Sequence, residues 1–299
     1  MTQTFIYDAV RSPRGKAGPE GKLAGLAPHA LTTALIRALE SRNGAEAVSG
    51  AASLTLGCVG QIGAQGGHLA LVTRLHAGLP DAVRALTINN YCVSGLTAVG
   101  MAASEAAARD DDHLRLAGGV EMMSAVPFMG DKAHYYADAK TAAALRYVPV
   151  ALSADLMATM EGFTKADLDE ASARSHNRAA AAWAKGGLSE VIAISGEDGT
   201  PLLDRDESVR AGISVEKLAR FEPAFAEMGK AGFDAIMLKA RPELSAIHHV
   251  HSVANCPPIC DGAALALVGT QEAGKAAGLK PKARIRAAVE ATGDPVLQL

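Results

Sequence analysis

"TINNYCVSGLTAVGMAASEAAARDDD", residues 87–112, joins a β-prone run, one cysteine and a long alanine-rich run. The apolar end of "RALTI" predicts a strand, and Leu96, Val99, Ala103 and Ala106 recur behind it at the spacing of a buried helix. Cys92 is therefore expected at a helix N-terminus. Unpaired backbone N–H groups there lower the pKa of a thiol and can hold an oxyanion on an attacked carbonyl. Gly95 would let a substrate approach the backbone closely. A buried cysteine packed as a small hydrophobe fits the same pattern, so these residues alone leave nucleophile and filler both open.

Working outward, strand and helix alternate at short spacing. "TFIYDAV" (4–10) reads as a buried strand, and the Pro- and Gly-punctuated "RSPRGKAGPEGKLAGL" (11–26) as a loop. "PHALTTALIRALESRNG" (28–44) is a helix with an Asn-Gly stop, "AASLTLGCVG" (51–60) a strand, and "GGHLALVTRLHAGLP" (66–80) a helix. A further strand is expected in "LRLAGGVEMMSAVP" (114–127). Helix and loop composition then takes over, with "DLDEASARSHNRAAAAWAKGG" (167–187) a long helix stopped by Gly186-Gly187. The β signature returns in "HHVHSVANCPPICDGAALALVG" (248–269), and a new element opens at "QEAGKAAGLKPKARIRAAVEATGD" (271–294). The expected organisation is an α/β fold: a first part over 1–124, an inserted helix- and loop-rich layer over 125–246, a return over 247–270, and an incomplete second α/β half from 271 to 299.

Composition narrows the function classes. In a chain of 299 residues, Lys+Arg 29 against Asp+Glu 32 leaves no basic footprint for nucleic acid. No apolar run approaches a membrane span and the start lacks a secretory pattern, so a cytoplasmic protein without membrane insertion is expected. The 4 cysteines, Cys58, Cys92, Cys256 and Cys260, read as thiols rather than a disulfide framework. With aromatic residues at only 4%, the layers must pack through small side chains and close backbone approach.

"NNYCVSGLTAVGMAA" resembles the nucleophile segment of thiolases, and "AGGVEMMSAVPF" the segment that follows it in that family. "RSPRGK", "GCVGQIGAQG", "SARSHNRAAAAWAKGG", "DRDESVRAGISVEKLARFEPAF" and "CDGAALALVG" match in the same order along essentially the whole chain. "GFDAIMLKARPELSAIHHVHSVAN" is most similar to the β-subunit type of the multifunctional fatty-acid oxidation complex. The resemblance implies a layered thiolase fold and acyl transfer on acyl-CoA, either thiolytic cleavage of 3-ketoacyl-CoA or the reverse Claisen condensation. It makes Cys92 the nucleophile and Arg210, in "DESVRAG", the contact for CoA phosphate or adenine. CoA is then a substrate, with no permanently bound cofactor and no metal. Homodimers or homotetramers and a fatty-acid oxidation partner subunit are implied in the same way.

The pattern is also incomplete. An Asn in NEAF, a His in GGHPxG and a second Cys in CxGGG, found in the last domain of thiolases, do not occur, which implies a poor catalyst in the chain as given. Pro257-Pro258 stand where the family has a Gly- and Ser-containing turn on CoA, and proline removes backbone donors. These departures support an alternative, a catalytically impaired thiolase-like protein that binds acyl-CoA or a partner subunit. A decarboxylating ketoacyl synthase would carry HGT and NFG histidine segments, which are absent. "GGHLAL" precedes the nucleophile and lacks the proline, so His68 reads as a structural residue at a helix start. His248, His249, His251, Cys256 and Cys260 are zinc-binding types at irregular spacing, without CxxC or HxxxH. His176 reads as a packed or capping histidine, and the Met122-Met123 pair beside Glu121 as core filling rather than an acyl channel. "RDDDH" (109–113) reads as a solvated helix end. No Walker or GxGxxG loop supports nucleotide chemistry.

Overall fold

The computed structural model describes residues 2–298 apart from 110, 137, 187 and 197. The chain begins β1 (Thr4–Arg11), β2 (Gly15–Lys16), α1 (Pro28–Asn43), α2 (Ala45–Ser49), β3 (Ser53–Gly57), α3 (Leu69–His76), β4 (Arg84–Ile88), α4 (Ser94–Arg109) and β5 (Arg115–Met122). Helices α5 (Ala139–Leu145), α6 (Val150–Glu161) and α7 (Lys165–Ala184) follow, then the short strands β6 (Ile194–Ser195) and β7 (Pro201–Leu203). Next come α8 (Val215–Leu218), α9 (Ala226–Met228) and α10 (Asp234–Ala240), and last β8 (Cys260–Thr270), α11 (Gln271–Ala276) and β9 (Ala283–Ile285). The chain divides into two compact units, one of 1–131, 188–208 and 259–289, the other of 132–187, 209–258 and 290–299.

The first unit is a mixed sheet in the order β4-β3-β5-β8-β1-β9, with β2 paired to β8. Strand β3 runs parallel to β4 and β5, so the connections carrying α3 and α4 are crossovers of the kind parallel strands require. Strand β8 runs antiparallel to both β5 and β1. Because successive side chains alternate between faces, the two sides of the sheet differ in grain. One side carries Leu54, Leu56, Leu116, Val120, Met122, Leu265 and Leu267 and packs with α1 residues Leu31, Leu35, Ile36 and Leu39. On the other, Ala117, Ala266 and Val268 meet Ala98, Ala102 and Ala103 of α4. Small residues on both surfaces bring α4 down onto the sheet, as the low aromatic content requires.

The face of α4 meets expectation at Ala103 and Ala106, with Val99 packed beside them, and departs from it at Leu96. Its buried residues include Ala98, Ala102, Ala103 and Ala106, whereas Leu96 is 74% exposed. The sheet beneath offers glycine and alanine, and a leucine does not fit where a helix backbone must come close. The 271–289 stretch also lies in the first unit: α11 is capped by Thr270, whose Oγ1 accepts the Ala273 N–H at 3.1 Å, and β9 then pairs antiparallel with β1.

Residues 188–208, inside the stretch expected as one inserted layer, likewise belong to the first unit. The Arg11 N–H donates to Glu190 O at 2.8 Å, and its guanidinium forks onto Asp206 at 2.7 and 3.0 Å. From 248 to 259 no strand forms; β8 starts only at Cys260, after Pro257-Pro258 have removed two ladder donors.

The second unit is helical, with an apolar cluster of Val148, Leu152, Leu156, Met237, Ile247 and Val296. Helix α7 opens with a reciprocal cap between Thr164 and Asp167. The chain leaves it through Gly186 at φ 109°; Gly187, the second half of the expected stop, lies outside the described residues.

Candidate active site

Cys92 lies two residues ahead of α4, in the turn between β4 and that helix. The turn is tied at Asn89, Asn90, Tyr91 and Ser94. Asn89 Oδ1 accepts the Tyr91 N–H at 2.9 Å, an Asx turn that lets Tyr91 adopt φ 47°. Ser94 Oγ accepts the Asn90 N–H at 2.7 Å and donates to Tyr91 O at 2.6 Å, while Asn90 Nδ2 donates to Thr97 Oγ1 at 2.9 Å. The first turn of α4 lies flush on the sheet because Gly57 and Gly119 have no side chain. A Cβ on Gly57 would fall 2.5 Å from the Ser94 carbonyl carbon, and one on Gly119 would fall 2.9 Å from Gly57 O.

Behind the turn stands a half-buried polar clamp. Glu121, at the end of β5, accepts the N–H of Val59 at 2.8 Å, that of Gly60 at 3.3 Å and the Gln65 amide at 2.6 Å. Gln65 is fully buried, and its Oε1 takes the Met122 N–H at 2.5 Å. The clamp reaches the cysteine turn through Val59 O, which accepts from Asn89 Nδ2 at 3.3 Å. Neither Asn89 nor Gln65 is visible from residue types alone; the available signal was an Asn two residues before a turn tyrosine, between strand and helix. By sequence Glu121 stands out only as a neighbour of the Met pair, of which Met122 is fully buried in the core.

The four thiols differ in setting. Cys92 is exposed, Cys58 is buried, and Cys256 and Cys260 are half-buried. Burial, followed by the negative charge of Glu121, pushes the Cys58 thiol up to about 12. Burial also raises Cys256 and Cys260. The reading of Cys92 as a buried filler does not survive its exposure.

His68 caps α3, its Nδ1 accepting the Leu71 N–H at 3.2 Å. Asp111, expected as part of a solvated helix end, instead accepts from Arg115 Nη2 at 2.7 Å, because that arginine is fully buried and needs a carboxylate.

In the second unit Arg210 is exposed in the loop before α8, and among the described residues its guanidinium forms no ion pair. The loop is held to α7: His176 Nδ1 accepts the Arg210 N–H at 3.2 Å, and Asn177 Oδ1 accepts the Gly212 N–H at 3.1 Å. Burial, and then the charge of Arg210, lower the His176 pKa. The neighbouring histidines serve a different purpose. Asp155, fully buried, faces His249 Nδ1 at 2.9 Å and His251 Nδ1 at 2.6 Å, and accepts the Val250 and His251 N–H groups. Burial works against its charge, but these donors hold the carboxyl below the usual range. Among the described residues no group of three or more His, Cys, Asp or Glu is arranged to hold a metal ion.

The family model "Thiolase, N-terminal domain" matches residues 4–232. The chain belongs to the thiolase family. "Beta-ketoadipyl-CoA thiolase" of Pseudomonas putida is 32% identical over 304 residues, covering 95% of this chain and 70% of its own length. "3-ketoacyl-CoA thiolase" of Serratia proteamaculans is 31% identical over 299 residues, covering 99% and 72%. The fold of this thiolase-family chain is similar to the Bacillus anthracis acetyl-CoA acetyltransferase, with TM-score 0.76 and 26% identity over 99% of this chain and 73% of that one. Among the described residues no helix is long and apolar enough to cross a membrane.

Proposed function

We propose that this thiolase-family chain transfers acyl groups between CoA thioesters through a thioester on Cys92. The observation that carries the reading is the exposed thiol at the head of α4, on a turn tied by Asn89 and Ser94. In the degradative direction Sγ attacks C3 of a 3-ketoacyl-CoA. The S–C3 bond forms, the C2–C3 bond breaks, and the electron pair left on C2 takes a proton to give acetyl-CoA. The thiol of a second CoA attacks the acyl-cysteine, restoring Sγ, and its proton balances the one placed on C2. A thioester is exchanged for a thioester, so neither half-reaction falls into a deep well. The N–H groups proposed to meet the developing oxyanion are those at the head of α4 other than Ser94 and Thr97, whose N–H groups already donate to Tyr91 O and Val93 O.

Arg210, charged and exposed, is assigned to CoA phosphate or adenine. The reading further includes CoA as substrate only, a homodimeric or homotetrameric assembly, association with a fatty-acid oxidation partner, and a cytoplasmic location. The test is trapping: incubation with acetyl-CoA followed by peptide mapping places an acetyl group on Cys92 and none in Cys92→Ser. Acetylation that persists in Cys92→Ser would remove the assignment.

A further inference from the structure

His176 is not used by the chemistry just described, yet it touches the one loop to which a ligand contact is assigned. Its Nδ1 stands 3.2 Å from the backbone nitrogen of Arg210. A backbone N–H is only a donor, so the bond exists only while Nδ1 carries no proton. Protonation places two donors face to face and withdraws the support. We infer that His176 is a positioning residue for Arg210, holding the loop for the phosphate end of a CoA ligand while its imidazole is neutral and releasing it on protonation. This rests on the proposed role of Arg210.

The surroundings keep the imidazole neutral until the pH is acid. On α7 the positions one turn away from His176 are Ser172, Ala173, Ala179 and Ala180, which bring no charge. Helix α8, packed on α7, carries Glu216 and Lys217, and the loop brings Arg210. Arg210 is the charge that acts on His176, and together with burial it opposes protonation. The bond therefore stands at neutral pH and is lost on the acid side of the ordinary histidine range. The loop keeps a second tie, since Asn177 binds Gly212 N and Ile213 O, each at 3.1 Å, so losing His176 loosens the arginine without unfolding the loop.

The test compares CoA binding by calorimetry from pH 7.5 to 5.5 in the parent, His176→Leu, His176→Asn and Arg210→Ala. The asparagine Oδ1 lies three bonds from Cα, as Nδ1 does, and accepts without titrating. The 3′-phosphate of CoA itself titrates near pH 6, but it does so in every variant, so the difference between variants is the readout. His176→Leu is expected to bind about fivefold more weakly at pH 7.5, the worth of one neutral hydrogen bond. His176→Asn should recover the parent affinity at pH 7.5 and lose less than the parent on acidification. Amide hydrogen exchange at Arg210 should quicken in His176→Leu and not in His176→Asn. If Arg210→Ala binds as the parent does, the ligand assignment falls and this inference with it. If Arg210→Ala is weakened while His176→Leu is not, or if His176→Asn keeps the full acid loss of the parent, the inference alone is overturned. Should His176→Leu fail to fold, the pH profile of His176→Asn against the parent still decides.

Discussion

Glu121 Oε2 accepts the Val59 N–H at 2.8 Å, so the end of β5 holds the turn that leaves β3 beside the cysteine. Each oxygen of this carboxylate faces donors, and Oε1 also receives the buried Gln65 amide. Glu121→Gln must turn an NH2 toward one set of them. The expected loss is about 1–3 kcal/mol, the cost of an unsatisfied buried donor. Urea denaturation of parent and variant measures it, and an unchanged midpoint would show that the clamp is relaxed by water.

Asn89 joins that clamp to the cysteine turn, and its two polar atoms can be separated. Asn89→Asp keeps the acceptor for Tyr91 N–H and loses the donor to Val59 O; Asn89→Ala loses both. If the Asx turn aims Cys92, alkylation of Cys92 slows in Asn89→Ala, by roughly three- to tenfold, and stays near the parent rate in Asn89→Asp, as one hydrogen bond of about 1 kcal/mol implies. Equal slowing in both would move the effect to the Val59 contact.

Thiol reactivity follows setting. At neutral pH iodoacetamide should label Cys92 before Cys256 and Cys260, with Cys58 last, because Cys58 is buried and its thiol stands at about 12. Peptide mapping against time gives the order. A Cys92 that reacts slowest would end its assignment as nucleophile.

Much of the first unit was legible in the sequence because period and punctuation agree there: β3, α3, β4 and α4 fall where alternation, helical spacing and Gly stops place them. The face of α4 was legible only in part, at Ala103 and Ala106 and not at Leu96. In an alanine-rich helix the apolar contrast is weak, and the glycines of β3 and β5, distant in sequence, select which side goes down. Pairing across long separations was hidden for the same reason, as with Arg11 and Asp206 or Asn89 and Val59. The histidines near 250 showed their types but not their partner, since Asp155 lies on α6 almost a hundred residues away.

Acid should attack the sheet at Asp8. Burial alone would raise this carboxyl; donors from Arg42, Lys282, Asn43 and Ala9 N–H outweigh it and hold the group well below the usual carboxylate range. A depressed folded-state pKa contributes stability that is fully present above the unfolded value near 3.9 and is lost as pH falls through the folded one. Stability from Asp8 is therefore constant from pH 7 to about 5 and falls below about 4. Asp8→Asn should cost on the order of 3 kcal/mol, since it leaves Arg42 without its buried partner. It should also flatten the acid limb of the stability profile. Parallel acid limbs in parent and variant would assign the loss to other carboxylates.

The last expectation concerns the two ends of CoA. An Arg–phosphate contact is charge-assisted, so Arg210→Ala should weaken CoA binding by about 1.5–3 kcal/mol, or roughly ten- to a hundredfold. The resemblance to thiolases implies a CoA-contacting serine where this chain has Pro257. Pro257→Ser restores at most one neutral hydrogen bond, of order 1 kcal/mol, and also frees a stiff turn, whose entropy opposes the gain. Pro258 still fixes the next φ, so the recovered contact should be partial. Arg210→Ala should therefore change affinity more than Pro257→Ser does, and in the opposite direction. Calorimetry with CoA at pH 7.5 measures both. Equal affinity in parent and Arg210→Ala, with a large gain in Pro257→Ser, would place the dominant contact at the pantetheine turn and not at the arginine.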